Sequence, residues 1–408
     1  MRSEKLLNLP LVVLLLALAP AAVASTWYVN GVSGSDTHPC TTPASACKTI
    51  GHAISLAASG DSIMVASATY QENLRIGFNL NVIGSGNSTT IIDGGSHGSV
   101  VAISSTTANV ILSGVTIRNG RAAGSGGGIF NSGTFSLIAS ILIGNTVAPT
   151  RFCVIGCFLS GGGIYNSGAM TIDNSAIMQN TASVPSIVHT GAGGGGISNS
   201  GTLTVNNSTL SGNSVNANAL GNGFGGGIDS SGTLTVNNST FTGNTVNGIN
   251  PGTNGGGGIY VDQGVATINN STISGNGTRG ASLGGGVYNN TGTMIVQNSI
   301  IADSSSGGNC HGTVTSKGYN LSSDNSCSLN SPGDLNNADP KLDTLGYYGG
   351  PTQTIPLLSG SPAIDAGNPR GCTDGHGNVL RTDQRGMPRP DPEDKAGCDM
   401  GAYESQSD

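Results

Sequence analysis

Four acids stand in the repetitive middle of this chain, and three of them, Asp173, Asp229 and Asp262, fall within its repeats as possible acid–base groups. Hydrolysis of a glycosidic bond needs two carboxyls facing one bond. Eliminative cleavage needs a base, often beside Ca²⁺ held by clustered carboxylates. Asp173 follows the glycine that opens the second segment of its repeat, whereas Asp229 and Asp262 precede theirs. That difference in register predicts no cluster, and no Asp-Asp pair occurs. His97 (in Ser96-His97-Gly98) and His376 (in Gly375-His376-Gly377) lack companion acidic motifs and read as turn histidines. The C-terminal acids Asp365, Asp374, Asp383, Asp391, Glu393, Asp394 and Asp399 are interleaved with Arg370, Arg381, Arg385 and Arg389. Salt bridges suit that pattern better than a Ca²⁺ site. No catalytic, cofactor-binding or metal-ligating residue is assigned, and no cofactor is expected.

Cysteine chemistry is more definite. Eight cysteines fall as sequence neighbours: Cys40 with Cys47, Cys153 with Cys157, Cys310 with Cys327, and Cys372 with Cys398. Local pairing closes one loop per bridge and is the simplest of the possible connectivities, in an oxidising compartment. Cys153 and Cys157 have no second ligand pair nearby, which favours a disulfide over a metal site.

These side chains are carried by a repeat. Glycine triplets beginning at Gly126, Gly161, Gly194, Gly225, Gly256 and Gly284 each lead into an aliphatic residue, a polar turn and two β-type segments. Clear copies are GGGISNSGTLTVNNSTLSGN (residues 194–213) and GGGIDSSGTLTVNNSTFTGN (residues 225–244). A β-rich period near thirty residues means a solenoid, one coil per repeat. Aliphatic rows such as Ile197/Ile228, Leu203/Leu234, Val205/Val236 and Leu210/Phe241 recur at fixed offsets, and their alternation predicts inward-facing segments, three per coil. The fold class is therefore all-β, a parallel β-helix.

Polar rows recur as well. Asn174, Asn207, Asn238, Asn270 and Asn298, each followed by serine, are expected to stack as an amide ladder rather than to act as glycosylation acceptors. Thr171, Thr202, Thr204, Thr233, Thr235 and Thr267 should face outward. The flat array is similar to that of ice-binding β-helices, but Ala169, Val265 and Ile295 interrupt it and β-propensity accounts for it. Length varies only in the connectors, which shorten from 15 residues (146–160) through 13, 11 and 11 to 7 (277–283). They must project from one side, a natural recognition surface.

The ends differ from the middle. Arg2 and Lys5 precede an apolar run at 11–19 and a small-residue cleavage site at Ala22-Val23-Ala24, the pattern of a signal peptide (1–24). No later stretch is apolar for long enough to span a membrane. Cys47 to Ala58 has helical spacing at Ile50, Ala53, Ile54 and Ala57, as expected of a short N-terminal capping helix over an open solenoid end. Cap and entry coils take 25–120, the repeats 121–304 and a C-terminal module 305–408. Charged residues make up 9% of the chain, net charge is −7 and no basic cluster exists, which argues against nucleic acid as a partner.

Three resemblances follow from these motifs. The entry segment AASGDSIMVASATYQENLRI, with TIIDGG and VILSGVTIRNG, resembles the first coils of pectin-lyase-like right-handed β-helix proteins, implying a right-handed, single-stranded coil. The Gly-Gly-aliphatic repeats, with Phe241–Asn244 matching Phe-x-x-Asn, are similar to those of chlamydial polymorphic outer membrane proteins, which are adhesins. No C-terminal barrel pattern follows them here. The tail, with DPKL (339–342), GGPTQT (349–354), GSPAIDAG (360–367), TDQRG (382–386) and DMGAYE (399–404), resembles the module of choice-of-anchor surface proteins. Together they imply a protein secreted or held at a bacterial cell surface, adhesin-like, meeting surface glycans or host and cell-surface proteins. A polysaccharide-active lyase or hydrolase is the alternative, and a structural envelope protein the third.

Overall fold

The computed structural model describes residues 24–149, 158–184, 191–217, 221–248, 254–279, 283–374, 376–392 and 397–406. Residues 1–23 of the expected signal segment, and the Cys153/Cys157 pair, lie outside them. The chain forms a right-handed parallel β-helix. A complete coil visits five sheets rather than three. In the coil that begins at Gly194 the visits are Ile197–Asn199, Thr202–Asn206, Thr209–Ser211 and Ser214–Asn216, with Gly223–Phe224 closing it. We number the sheets first to fifth in that order; they contain nine, eleven, eleven, six and three strands. The two extra sheets are built from the two ends of the connectors, whose short segments carry too few alternating residues to register as strands in the sequence.

Register is set by the aliphatic rows. Leu203 pairs with Leu234 and Val205 with Val236, while Thr202 and Thr204 lie over Thr233 and Thr235 on the outer surface. Ile197, Leu203, Val205 and Leu210 are fully buried, as are their counterparts Ile228, Leu234, Val236 and Phe241. Each such side chain contributes about 1.5–3 kcal/mol on burial, and a one-residue slip would turn the whole set to solvent. That penalty fixes the stacking.

Glycine is required where the chain turns into the first sheet. The first glycine of each triplet has positive φ, 68° at Gly194 and 59° at Gly225, a region that L side chains avoid. The asparagines expected to form a ladder also turn corners. Asn174, Asn207, Asn238, Asn270 and Asn298 all have φ between 45° and 49°, and asparagine tolerates that conformation. Their amides bond one another in places, as Asn298 Nδ2 does to Asn270 Oδ1 at 3.2 Å. The longest amide ladder among the described residues is a different column, at the end of the third strand. Asn145 Nδ2 donates to Asn180 Oδ1 (3.0 Å), Asn180 to Asn213 (3.0 Å), Asn213 to Asn244 (2.9 Å) and Asn244 to Asn276 (2.9 Å). All five are fully buried, so every amide must find a partner inside the wall.

The expected capping helix is present as Ile50–Leu56, with Ile50, Ala53 and Ile54 buried over the end of the solenoid and Thr49 accepting from the His52 N–H. Glu72 also accepts from the N–H groups of Ile50 (2.8 Å) and Gly51 (2.7 Å). At the other end parallel pairing continues through Cys310–His311, Thr315–Ser316 and Leu321–Ser322 to Leu335–Asn336. The chain then folds back along the corner between the second and third sheets. Thr352 bonds Asn207, Gln384 bonds Thr209 and Thr240, and Arg389 bonds Asn238, so the returning segment spans several coils. Its charges pair internally: Arg385 with Asp383 at 2.8 Å and, fully buried, Arg389 with Glu404 at 2.7 Å. Disulfides join Cys40–Cys47, Cys310–Cys327 and Cys372–Cys398, the local pairing expected for these six.

Candidate functional site

The aliphatic residue after each glycine triplet points inward, so the next residue must point out. Stacking those positions on the first sheet gives one outward row parallel to the solenoid axis. It runs Arg75, Ala102, Phe130, Tyr165, Ser198, Asp229, Tyr260, Tyr288, His311, each in register with the next. An aspartate and a serine are thus set between two aromatic runs. Phe130 and Tyr165 stack with centroids 5.3 Å apart on one side. On the other, Tyr288 meets Tyr260 edge-on at 5.1 Å and His311 at 4.7 Å. Phe158 and Phe224 from the fifth sheet stack alongside at 6.4 Å, and Phe224 lies 4.6 Å from Tyr260.

A second outward row lies two residues further on. It includes Ser200, Ser231, Asp262 and Asn290, each hydrogen-bonded through its own N–H to the preceding coil. The two rows and the fifth sheet line a cleft of roughly 490 Å³ that contains Asp229, Asp262, Tyr165, Tyr260, Phe158 and Phe224 among its walls. The two aspartates that the sequence placed in unrelated positions therefore share one site. The reason is the coil: Asp229 is beside Tyr260 and Asp262 lies two residues past it, so they are diagonal neighbours. Coil spacing and strand rise put their Cα atoms about 8 Å apart.

Their environments differ. The Asp262 carboxylate accepts from Asn290 Nδ2 at 2.9 Å, and its backbone carbonyl accepts from the Thr291 hydroxyl. Asp229 is part-buried, and its carboxylate receives no hydrogen bond from the described residues. Burial, then the Asp262 charge, pushes its carboxyl up to about 7. Burial, with the neighbouring acids adding to it, likewise raises the Tyr260 hydroxyl. Gly193 makes room for this group: a Cβ there would fall on the Asp229 carboxylate. Gly255 does the same for the Tyr288 ring.

The other acids and histidines singled out in the sequence lie elsewhere. Asp173 sits on the second sheet, where Asn174 and Asn207 donate to it at 3.1 and 3.0 Å. The returning C-terminal segment brings His376 and Asp374 into the same groove, beside Thr171, Thr204 and Thr235. Asp374 is occupied by the N–H groups of His376 and Asn378 and by the Asn378 amide, which hold its carboxyl low. His97 lines a small hollow with Arg75 and Phe130 that has no carboxylate in its walls. Tyr165, Ser198, Tyr260 and Tyr288 were missed as site residues, although the position after Gly-Gly-Gly-aliphatic is readable in every repeat.

Among solved structures the chain is similar to pectate lyase Pel9A, at 14% identity over 94% of this chain and 97% of that one, with a TM-score of 0.52. It also matches pectin methylesterase PemA from Erwinia chrysanthemi, at 14% identity over 66% and 82% of the two chains, with a TM-score of 0.34. A third is GH136 lacto-N-biosidase from Eubacterium ramulus, at 10% identity over 73% and 64%, with a TM-score of 0.33. No protein-family model and no curated protein sequence matches the chain. The likeness to pectate lyase Pel9A runs nearly end to end and concerns the fold.

Proposed function

We propose that this protein is a secreted or cell-surface β-helix that binds glycan chains in the aromatic cleft of the first sheet, in an adhesin-like role. The observation that carries this reading is the row Phe130, Tyr165, Ser198, Asp229, Tyr260, Tyr288. Aromatic faces give flat apolar support, and the polar groups between them supply directional bonds, the usual division of labour in ligand clefts. A row along the axis suits an extended polymer. The connectors leave the fourth sheet and return through the fifth, so the loop-bearing side borders the cleft. The signal-like N-terminus, adhesin-type repeats and choice-of-anchor-like tail are consistent with export and surface display.

Calorimetric titration of glycan oligomers into the mature protein and into Tyr260→Ala and Tyr288→Ala tests this. Binding that both substitutions weaken at least tenfold is expected. Full affinity in both variants would remove the cleft from consideration.

A second reading rests on Asp229. A carboxyl titrating near 7 still holds its proton in much of the neutral population and is suited to general acid work. Asp229 would protonate the leaving glycosidic oxygen while Asp262 takes a proton from the water that attacks the anomeric carbon. Release of reducing ends, abolished in Asp229→Asn, would move the protein from binder to hydrolase. Pectate lyase Pel9A, which shares the fold, is by its name polysaccharide-active.

A further inference from the structure

Resting on the cleft as a glycan site, we infer that its ligand is a glycan bearing free amino groups, and that uronic acid polymers are rejected. Among the described residues lining the cleft there is no lysine, arginine or histidine, and both ionisable carboxyls belong to the protein. Within the outward row, Arg75 lies five coils from Asp229, about 24 Å, and His311 three coils away, about 14 Å. Both distances exceed the Debye length of about 8 Å at physiological salt. Arg121 and Arg279 belong to the fourth-sheet side and do not line the cleft. Arg151, in the first connector, and His189, in the second, lie outside the described residues. A uronate entering here would bring like charge against Asp262, and against Asp229 whenever that carboxyl ionises, with no cation among the described lining residues to offset it.

An ammonium fits what is left open. The Asp229 carboxylate has no partner among the described residues, Asp262 lies diagonally across from it, and the Tyr260 ring, in register with Asp229, lines the same cleft. Carboxylates with an adjacent aromatic face are a cation-recognising arrangement. Among the described residues, the groups facing Asp229 from the neighbouring elements are Asp262, Tyr260, Ser198, Gly193 and the phenylalanines of the fifth sheet, and none of them is basic. A bound ammonium would favour ionised Asp229, so binding should release a proton from it between pH 6 and 7.

The test uses three hexamers matched in length, of glucosamine, N-acetylglucosamine and galacturonic acid, titrated into the mature chain by calorimetry at pH 6.5 in EDTA. Buffers of differing ionisation enthalpy report the proton count. We expect glucosamine hexamer to bind at least tenfold more tightly than N-acetylglucosamine hexamer, with more protons released (or fewer taken up) than in Asp229→Asn, and galacturonate hexamer not to bind. Because the whole chain carries a net charge of −7, the double variant Asp229→Asn/Asp262→Asn separates the site from bulk attraction. In it the preference for glucosamine should collapse while N-acetylglucosamine binding persists. Galacturonate binding as tight as that of glucosamine, with or without added Ca²⁺, would overturn the inference, as would an unchanged ranking in the double variant. Equal binding of all three would overturn it while sparing the glycan reading. If none of the three binds, the charge inference and the glycan reading both fall.

Discussion

The carboxylate of Asp229 occupies the volume that any side chain at Gly193 would need. The three nearest atoms that a Cβ there would meet belong to the side chains of Asp229 and Phe158, and none of them is backbone. Gly193→Ala should therefore displace site groups and leave the coil intact. The expected result is glycan affinity reduced at least tenfold, with a circular dichroism melt within a few degrees of wild type. Unchanged affinity would place the binding surface elsewhere.

Asp229 also makes stability depend on pH. Its folded carboxyl titrates at about 7, against about 3.9 when unfolded. Between those values the folded state holds more protons, so stability falls as pH rises through the window. Asp229→Asn should then gain stability over wild type at pH 8 and lose that advantage at pH 4. Glu404, also raised by burial, is present in both proteins and cancels in the comparison. Denaturant melts at the two pH values check this, and an equal difference at both would refute it.

The closing asparagines should matter more than those at the corners. Asn244 donates to Asn276 and to the Leu210 carbonyl, and accepts from the N–H and amide of Asn213. Asn244→Ala strips four bonds from a buried site, at a cost of about 2–4 kcal/mol. Asn174 is placed at a half-exposed corner and bonds Asp173 alone through its amide. Asn174→Ala should cost about 1 kcal/mol. Urea melts giving the reverse order would contradict the assignment of the ladder.

Arg389 ties the returning C-terminal segment to the solenoid. It bonds Glu404 at 2.7 Å, Asn238 at 2.9 Å and the carbonyls of Gly401 and Tyr403. Arg389→Met leaves Glu404 buried without its cation, a change that costs about 3–5 kcal/mol. The tail should then detach before the coils melt. Limited proteolysis should cut within residues 340–406 of the variant and leave a resistant solenoid. An uncut tail would mean that the packing of Leu357, Ala363 and Met400 against Ile300 and Leu321 holds it unaided.

Redox chemistry gives a direct count. With three bridges formed as local pairs, and Cys153 and Cys157 expected to form the fourth, the unreduced, denatured protein should show no free thiol. Thiol titration followed by peptide mapping measures this, and any reactive cysteine would contradict it.

Period and alternation are local, additive signals, and they determined the coil. Leu203 and Val205 against Leu234 and Val236 announce an inward row because a strand alternates its side chains and burial rewards one register. The capping helix was legible at Ile50, Ala53 and Ile54 for the same reason. The local cysteine pairs were legible because short separations close loops at small entropic cost. The sequence by itself did not determine which amides form the longest ladder. Asn207 and Asn244 recur equally well, and only the backbone decides that the first turns a corner while the second faces the wall. Nor did it bring Asp229 to Asp262. They stand 33 positions apart in the chain and at different offsets within their repeats. Neighbourhood in a solenoid is measured by coil register, and the unequal connectors hide that register until the coil is closed. The tail's return across the corner asparagines was equally invisible, because Arg389 and Asn238 meet through tertiary packing over a separation of 151 residues.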